Sequence, residues 1–324
     1  MVKFGVFGAG RIATTFSNAA NGIHEHLYAI ASRDLEKAQK FATEFGYEKA
    51  YGSYEELLDD PEVNCVYIAT PHSFHYEQMK MCLEKGKNIL CEKSFTLNAD
   101  QAKEIYEIAE KKKLFVMEAM WTRFLPTILE VQKLVQADTI GEVFQVEANF
   151  GFTTTKNPRD RLFNPLLGGG ALLDIGIYPI TFANLFLGVP DSFDSNVFFH
   201  QSGVDTSEKI TYFYPEAQAT LNISFMEDLG TEATIYGSKG YVYFPNFHST
   251  EVATVYNNSH KVIKVIEHKH IVNGLEYEIF EAVKCIKKKM LESPIMSHET
   301  SIEILRQMDE IRKSWNFKYP QELG

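Results

Sequence analysis

The chain has 324 residues, 45% hydrophobic and 23% charged, which is ordinary globular composition and more than one hydrophobic core usually holds. Lys and Arg total 32 against 43 Asp and Glu, a formal net charge of -11, so the surface repels phosphate backbones and nucleic acid is not an expected partner. No apolar run approaches the roughly 20 residues that cross a bilayer, so no transmembrane segment is expected, and the apolar start after Lys3 is broken by Gly5, Gly8 and Gly10, unlike a signal peptide.

The first 120 or so residues alternate short apolar runs with amphipathic stretches. Val2–Phe7, Leu27–Ser32, Cys65–Ala69, Asn88–Cys91 and Leu114–Ala119 read as strands. Arg11–Ala20, Asp34–Phe45, Tyr54–Leu58, Ser73–Lys85 and Ala99–Lys112 read as helices between them. This alternation predicts a parallel sheet with helices on both faces, a Rossmann-type α/β domain over residues 1–122. Pro126–Gln136 reads as a connecting helix. Beyond Gly141 the period changes to 2: Phe144, Val146, Ala148 and Phe150 alternate with polar residues, as do Ala217, Ala219, Leu221, Ile223 and Phe225. That pattern predicts a C-terminal α+β domain, residues 123–324, with an open, predominantly antiparallel sheet. Two helices, Leu275–Leu291 and Glu299–Trp315, close the chain.

Gly8-Ala9-Gly10-Arg11-Ile12-Ala13 follows the first strand and opens a helix, the G-x-G-x-x-A form of the dinucleotide fingerprint. The helix N-terminus offers N–H groups and partial positive charge to a diphosphate. The next strand ends in Ser32 and Arg33, where an NAD-selective site would carry an acid for the ribose hydroxyl. Ser32, Arg33 and Lys37 can instead hold a 2′-phosphate, and Asp34 fits a helix N-cap, so NADP(H) is expected, with NAD(H) the alternative. Thr70-Pro71-His72-Ser73-Phe74-His75 and Cys91-Glu92-Lys93-Ser94 follow two further strands, at the carboxyl edge where such sheets bind ligands. His72 and His75 have no third ligand near in sequence, so no metal is expected. In the second domain Gly168-Gly169-Gly170-Ala171-Leu172-Leu173-Asp174-Ile175-Gly176-Ile177-Tyr178-Pro179 stands out; a helix there puts Asp174 and Tyr178 on one face, unless Pro179 kinks it.

These motifs, with Glu118-Ala119-Met120-Trp121-Thr122-Arg123-Phe124, resemble in content and order the Gfo/Idh/MocA oxidoreductases over nearly the whole chain. The resemblance implies a nicotinamide-dependent enzyme with Lys93, Asp174 and Tyr178 at the reactive centre. Substrate contacts are expected from Trp121, Arg161 and Phe163, and further cofactor contacts from Glu92, Trp121 and Arg123 beside the segments above. Two positions depart from the common pattern: Ser94 stands where many members have proline, and Tyr178 where many have histidine.

Oxidising an alcohol removes a hydride from carbon and a proton from oxygen, and with no metal constellation a side chain must take the proton. A lysine cation about 4 Å from a phenol, at an effective dielectric near 20, contributes about 4 kcal/mol and lowers its pKa by up to about 3 units. Lys93 could therefore bring Tyr178 close to neutrality, with Asp174 orienting the substrate hydroxyl or holding the lysine charged. A sugar, polyol or diol is the expected substrate. The alternative is a catalytically silent NADP(H)-binding redox sensor. Cys65, Cys82, Cys91 and Cys285 form no Cys-x-x-Cys pair, which fits a reducing, cytoplasmic setting. Tyr212, Phe213, Tyr214, Tyr241 and Tyr243 offer aromatic surface on the second-domain sheet and predict a homodimer through it.

Overall fold

The computed structural model describes residues 1–154 and 160–323. The chain forms two compact units: Met1–Trp121 with His270–Leu305, and Thr122–Lys269 with Arg306–Gly324.

In the first unit six strands, β1 (Lys3–Phe7), β2 (His26–Ala31), β3 (Lys49–Tyr51), β4 (Cys65–Ile68), β5 (Asn88–Glu92) and β6 (Val116–Ala119), pair in parallel. Their order is β3-β2-β1-β4-β5-β6. Val6, Ile30, Val66, Tyr67, Ile89 and Leu90 are fully buried, as side chains on a sheet covered on both faces must be. Helices α1 (Arg11–Gly22), α2 (Leu35–Phe45), α3 (Tyr54–Asp59), α4 (His72–Glu84) and α5 (Ala99–Lys112) connect them. Capping residues fix several starts: Asp34 accepts from the Lys37 N–H (3.1 Å) and Asn98 from the Gln101 N–H (2.9 Å). The sheet reverses its winding between β1 and β4, so the loops after these two strands flank the switch point where ligands bind.

The sequence boundary at 122/123 assigns everything after it to one domain, whereas His270–Leu305 returns to the first unit. Specific contacts hold it there. The Asn273 amide donates to the Thr15 carbonyl (2.9 Å), the Val116 N–H donates to Leu291 (3.1 Å), and the His298 ring stacks on Tyr106 at 4.0 Å. Such pairs lie far apart in the chain and leave no periodic signal. The helix His298–Ser314 runs across the division between the units.

The second unit opens with α6 (Pro126–Gln136), at the predicted bounds. Its sheet comprises β7 (Val143–Gly151), β8 (Ser192–Phe199), β9 (Asp205–Phe213), β10 (Gln218–Ser224), β11 (Ala233–Gly237), β12 (Gly240–Phe244), β13 (Val252–Asn257) and β14 (Val262–Glu267). The order is β14-β13-β12-β11-β7-β10-β9-β8, and every pairing is antiparallel except β7 with β10. Val146, Ala148, Leu221, Ile235, Val242 and Val255 line the buried face. Helix α7 (Ile177–Leu187) covers it, with Phe182 edge-on to Phe244 at 5.2 Å.

Two expectations need correction here. The segment Pro165–Leu187, 23 residues and helical on either side of the glycine turn at 168–170, is long and apolar enough to cross a membrane by length and composition, contrary to the reading that no run approaches that length. Of its most apolar window 78% is buried inside the protein, as for the core helix of a folded domain. Tyr212 is fully buried on the helix-covered face, so it is not part of the aromatic surface. The opposite face does present half-exposed aromatics: Tyr236, Tyr241, Tyr243 and Tyr256, with Tyr241 stacked on Tyr256 at 4.7 Å around a hollow of about 490 Å³.

Candidate active site

The first unit supplies a dinucleotide cradle. Gly10 caps α1 with no side-chain hydrogen bond, which leaves the first-turn N–H groups of Arg11 and Ile12 without a side-chain cap. A Cβ built on Gly10 meets nothing within 4 Å, so the chain's own packing does not require glycine there. The open space is what the backbone approach of a diphosphate needs, and the residues fit that group. At the end of β2, the Ser32 hydroxyl accepts from the Asp34 N–H (3.3 Å), while Arg33 and Lys37 are exposed. The Arg33 guanidinium lies 5.8 Å from the centre of the Phe74 ring. The Asp34 carboxylate is engaged in capping α2, where it accepts the Lys37 N–H.

The loops after β4 and β5 are joined by a histidine. Thr70 donates its hydroxyl to Gln78 (2.5 Å) and Pro71 caps α4. The His75 ring is fully buried, with its nitrogens 2.8 Å from the Thr70 carbonyl and 3.0 Å from the Ser94 carbonyl. Burial holds its pKa below the ordinary imidazole value, and those carbonyls work in the other direction. His75 therefore braces two loops and does not face a ligand, which corrects its place among the cofactor contacts; His72, buried beside it, packs edge-on at 5.8 Å. Glu92 is also buried, accepts the Tyr67 hydroxyl and faces Glu278, whose carboxyl burial pushes well up. The half-buried Lys93 follows directly, and its peptide bond to Ser94 is cis. Trp121 packs edge-on to His270 (6.4 Å), where a Cβ on Gly274 would come within 2.6 Å of the indole. Arg123 is half-buried in the short helix Trp121–Phe124.

The second unit carries the acid and the tyrosine on one turn. A Cβ on Gly169 would stand 2.6 Å from the Arg161 carbonyl, and Gly170 has φ +121° with no room before the Asp205 carboxylate. The glycines thus let the turn lie directly on the Arg161–Leu162 backbone. That contact places the Arg161 guanidinium on Asp174, Nη1–Oδ1 3.1 Å and Nη2–Oδ2 3.4 Å, with 7% of the Asp174 side chain exposed against 42% of Arg161. Leu172–Gly176 is a π-helical turn, a form common at functional sites, and it passes straight into α7. Pro179 stands inside this helical stretch, three residues past the π-helical turn, and the helix continues through it to Leu187. Tyr178, 7% exposed, lies against Phe150 (5.4 Å) and edge-on to His248 (5.5 Å).

His248 was not singled out in the sequence: it stands alone in a loop after β12, outside any motif, and only the fold brings it to Tyr178. Its carbonyl accepts the Thr122 hydroxyl (2.6 Å). Phe163 is a correction in the opposite sense. It is fully buried among His200 (4.8 Å) and Phe225 (6.1 Å), a core position without access to a small molecule.

A six-stranded parallel sheet with an uncapped glycine-led helix, and a separate sheet domain bearing an acid and a tyrosine on one turn, define a nicotinamide-dependent oxidoreductase. Residues 2–120 match the oxidoreductase family with an NAD-binding Rossmann fold, and residues 128–243 match the Gfo/Idh/MocA C-terminal domain. The chain belongs to the Gfo/Idh/MocA oxidoreductases. It is 37% identical to a trans-1,2-dihydrobenzene-1,2-diol dehydrogenase of Xenopus tropicalis, covering 98% of this chain and 99% of that one. A D-xylose 1-dehydrogenase (NADP(+)) of Hypocrea jecorina is 31% identical, with 99% and 93% covered. Among solved structures, a 3-ketoreductase from Actinomadura kijaniata in complex with NADP and TDP-benzene superposes with a TM-score of 0.85 at 25% identity, over 96% of this chain and 97% of that one.

Proposed function

We propose that this oxidoreductase moves a hydride between NADP(H) and the hydroxyl-bearing carbon of a sugar, polyol or diol, with Tyr178 handling the proton. The observation that carries the assignment is the turn itself. Both Asp174 oxygens accept from Arg161, which supports the phenol one turn on, rather than the carboxylate, as the group that exchanges the proton. When bound, the nicotinamide supplies the hydride acceptor. The chain does the rest. The α1 N-terminus at Arg11 and Ile12 takes the diphosphate, and Ser32, Arg33 and Lys37 take the 2′-phosphate. Lys93 brings positive charge to the reacting oxygen, and the Asp174–Arg161 pair orients the substrate hydroxyl. The relatives named for a dihydrodiol and for xylose support a substrate with neighbouring hydroxyls.

A panel of aldoses, polyols and vicinal diols, followed in both directions by NADPH absorbance, tests this reading. Turnover of at least one class is expected; cofactor binding with no turnover across the panel would favour the redox sensor. The outward aromatics of the second-unit sheet further support a homodimer through that face. Light scattering at micromolar concentration should give twice the 36.9 kDa chain mass, and a single-chain mass would contradict it. The four buried, free thiols accord with the reducing compartment expected for such an enzyme.

A further inference from the structure

Beneath the glycine turn of the second unit lie two carboxyls that no step above uses. Asp205, fully buried at the start of β9, accepts the Leu172 N–H at 2.6 Å through Oδ2, while its Oδ1 makes no hydrogen bond of good geometry. Glu208, three residues along β9 and 4% exposed, has neither oxygen in such a bond and faces both Asp205 and the Leu172 N–H. The missing Cβ of Gly170 leaves the space that Oδ1 of Asp205 takes up. The same turn is gripped from the C-terminal segment: the Tyr319 hydroxyl donates to the Gly169 carbonyl (2.8 Å) and the Gln321 amide to Leu166 (2.7 Å). That segment is in turn fixed by Arg312, paired with Glu322 (2.7 Å) and Asp309 (2.6 Å).

We infer that Asp205 and Glu208 share one proton and act as positioning residues, clamping the N-terminal end of the turn that carries Asp174 and Tyr178. Two adjacent buried carboxylates cannot both be charged without opposing charge, and a Glu208 that keeps its proton can donate it to Asp205. Asp205 then remains the anion that holds the Leu172 N–H at the positive end of the helical stretch. Burial first, and Asp205 second, push the Glu208 carboxyl well above the ordinary range. Among the described residues Tyr319 feels the charge of both carboxyls, with Arg312 and Glu322 also acting on it, and Arg312 is paired with Glu322 and Asp309; the β8 and β10 neighbours of Glu208, Val197 and Ile223, carry no charge. A raised acid contributes stability that is full below its unfolded value, about 4.3, and declines as pH rises toward its folded value. The functional half of the inference rests on the reading that Asp174 and Tyr178 do the chemistry.

The test uses the full chain with Asp205→Asn, Glu208→Leu, Glu208→Gln and Tyr178→Phe, read by melting temperature from pH 5 to 9, NADPH affinity, and kcat and KM. Asp205→Asn and Glu208→Leu are expected to lower kcat at least tenfold with NADPH affinity within about twofold, because the cradle is in the other unit. Glu208→Gln, which keeps a donor toward Asp205, should recover most of the turnover that Glu208→Leu loses. It should also flatten the fall in melting temperature between pH 5 and 9. If Glu208→Gln melts with the wild-type pH slope, or behaves as Glu208→Leu does in turnover, the shared proton is overturned. If Tyr178→Phe is inactive while Asp205→Asn turns over as wild type, the clamp fails and the site reading stands. If Tyr178→Phe keeps full turnover, both fail.

Discussion

Replacing Arg161 with methionine removes the guanidinium from Asp174 while keeping much of the side-chain volume. The pair has one hydrogen bond at 3.1 Å and a longer one at 3.4 Å. A hydrogen bond to a charged group contributes about 1.5–3 kcal/mol, and breaking a fully buried pair costs about 3–5 kcal/mol. Here 42% of the Arg161 side chain is exposed, so water already screens the cation, whereas Asp174 at 7% gains little hydration when its partner leaves. The cost should fall at about 1–3 kcal/mol, which for a chain of this size lowers Tm by roughly 2–10 °C. Thermal melts of Arg161→Met, Asp174→Asn and the double variant close a double-mutant cycle. The double variant should be less destabilised than the two single losses added together, by about 1 kcal/mol or more. Turnover should fall with little change in NADPH affinity. A Tm shift of Arg161→Met below about 1 °C, with losses additive to within about 0.5 kcal/mol, would refute the account of this ion pair.

The cradle makes two further predictions. Gly10 has extended backbone (φ -103°, ψ -174°) and open space where a Cβ would stand, so Gly10→Ala should leave Tm nearly unchanged and weaken NADPH binding about tenfold or more. Unchanged affinity by fluorescence titration would remove the diphosphate from this loop. Arg33→Asp should weaken NADPH binding by about tenfold or more and narrow or reverse the preference over NADH. Equal dissociation constants for both cofactors in the wild-type protein would count against the 2′-phosphate site.

The first unit was largely legible because both of its signals are local. Strands buried on two faces are short unbroken apolar runs, and α5 matches its predicted bounds, Ala99–Lys112, because Asn98 caps it and its apolar positions keep helical spacing. The three-residue β3 is too short to show any period. In the second unit alternation revealed β7 and β10 but not that these two pair in parallel, since a strand's pattern names its faces and not its neighbours. The same limit applies to Tyr212: aromatic residues in a strand read alike whether they face the helix layer or the outside, and register decides. Asp174 and Tyr178 were found through the glycines around them. Arg161 drew notice but not its partner, and His248 and the Asp205–Glu208 pair reach the turn only through long-range packing.

The most direct test of the central claim is the pH–rate profile of Tyr178→Phe beside that of Lys93→Met, with NADPH affinity measured for each. If Tyr178 accepts the proton, its phenylalanine variant binds NADPH nearly as the wild type does. It should lose roughly 10²–10⁴ in turnover, the usual weight of a general base, and lack the ionisation on the basic side of the profile. Lys93→Met should lose turnover and move any residual ionisation to higher pH. A Tyr178→Phe enzyme that keeps both its rate and that ionisation, while Lys93→Met loses both, would contradict the assignment and make Lys93 the base.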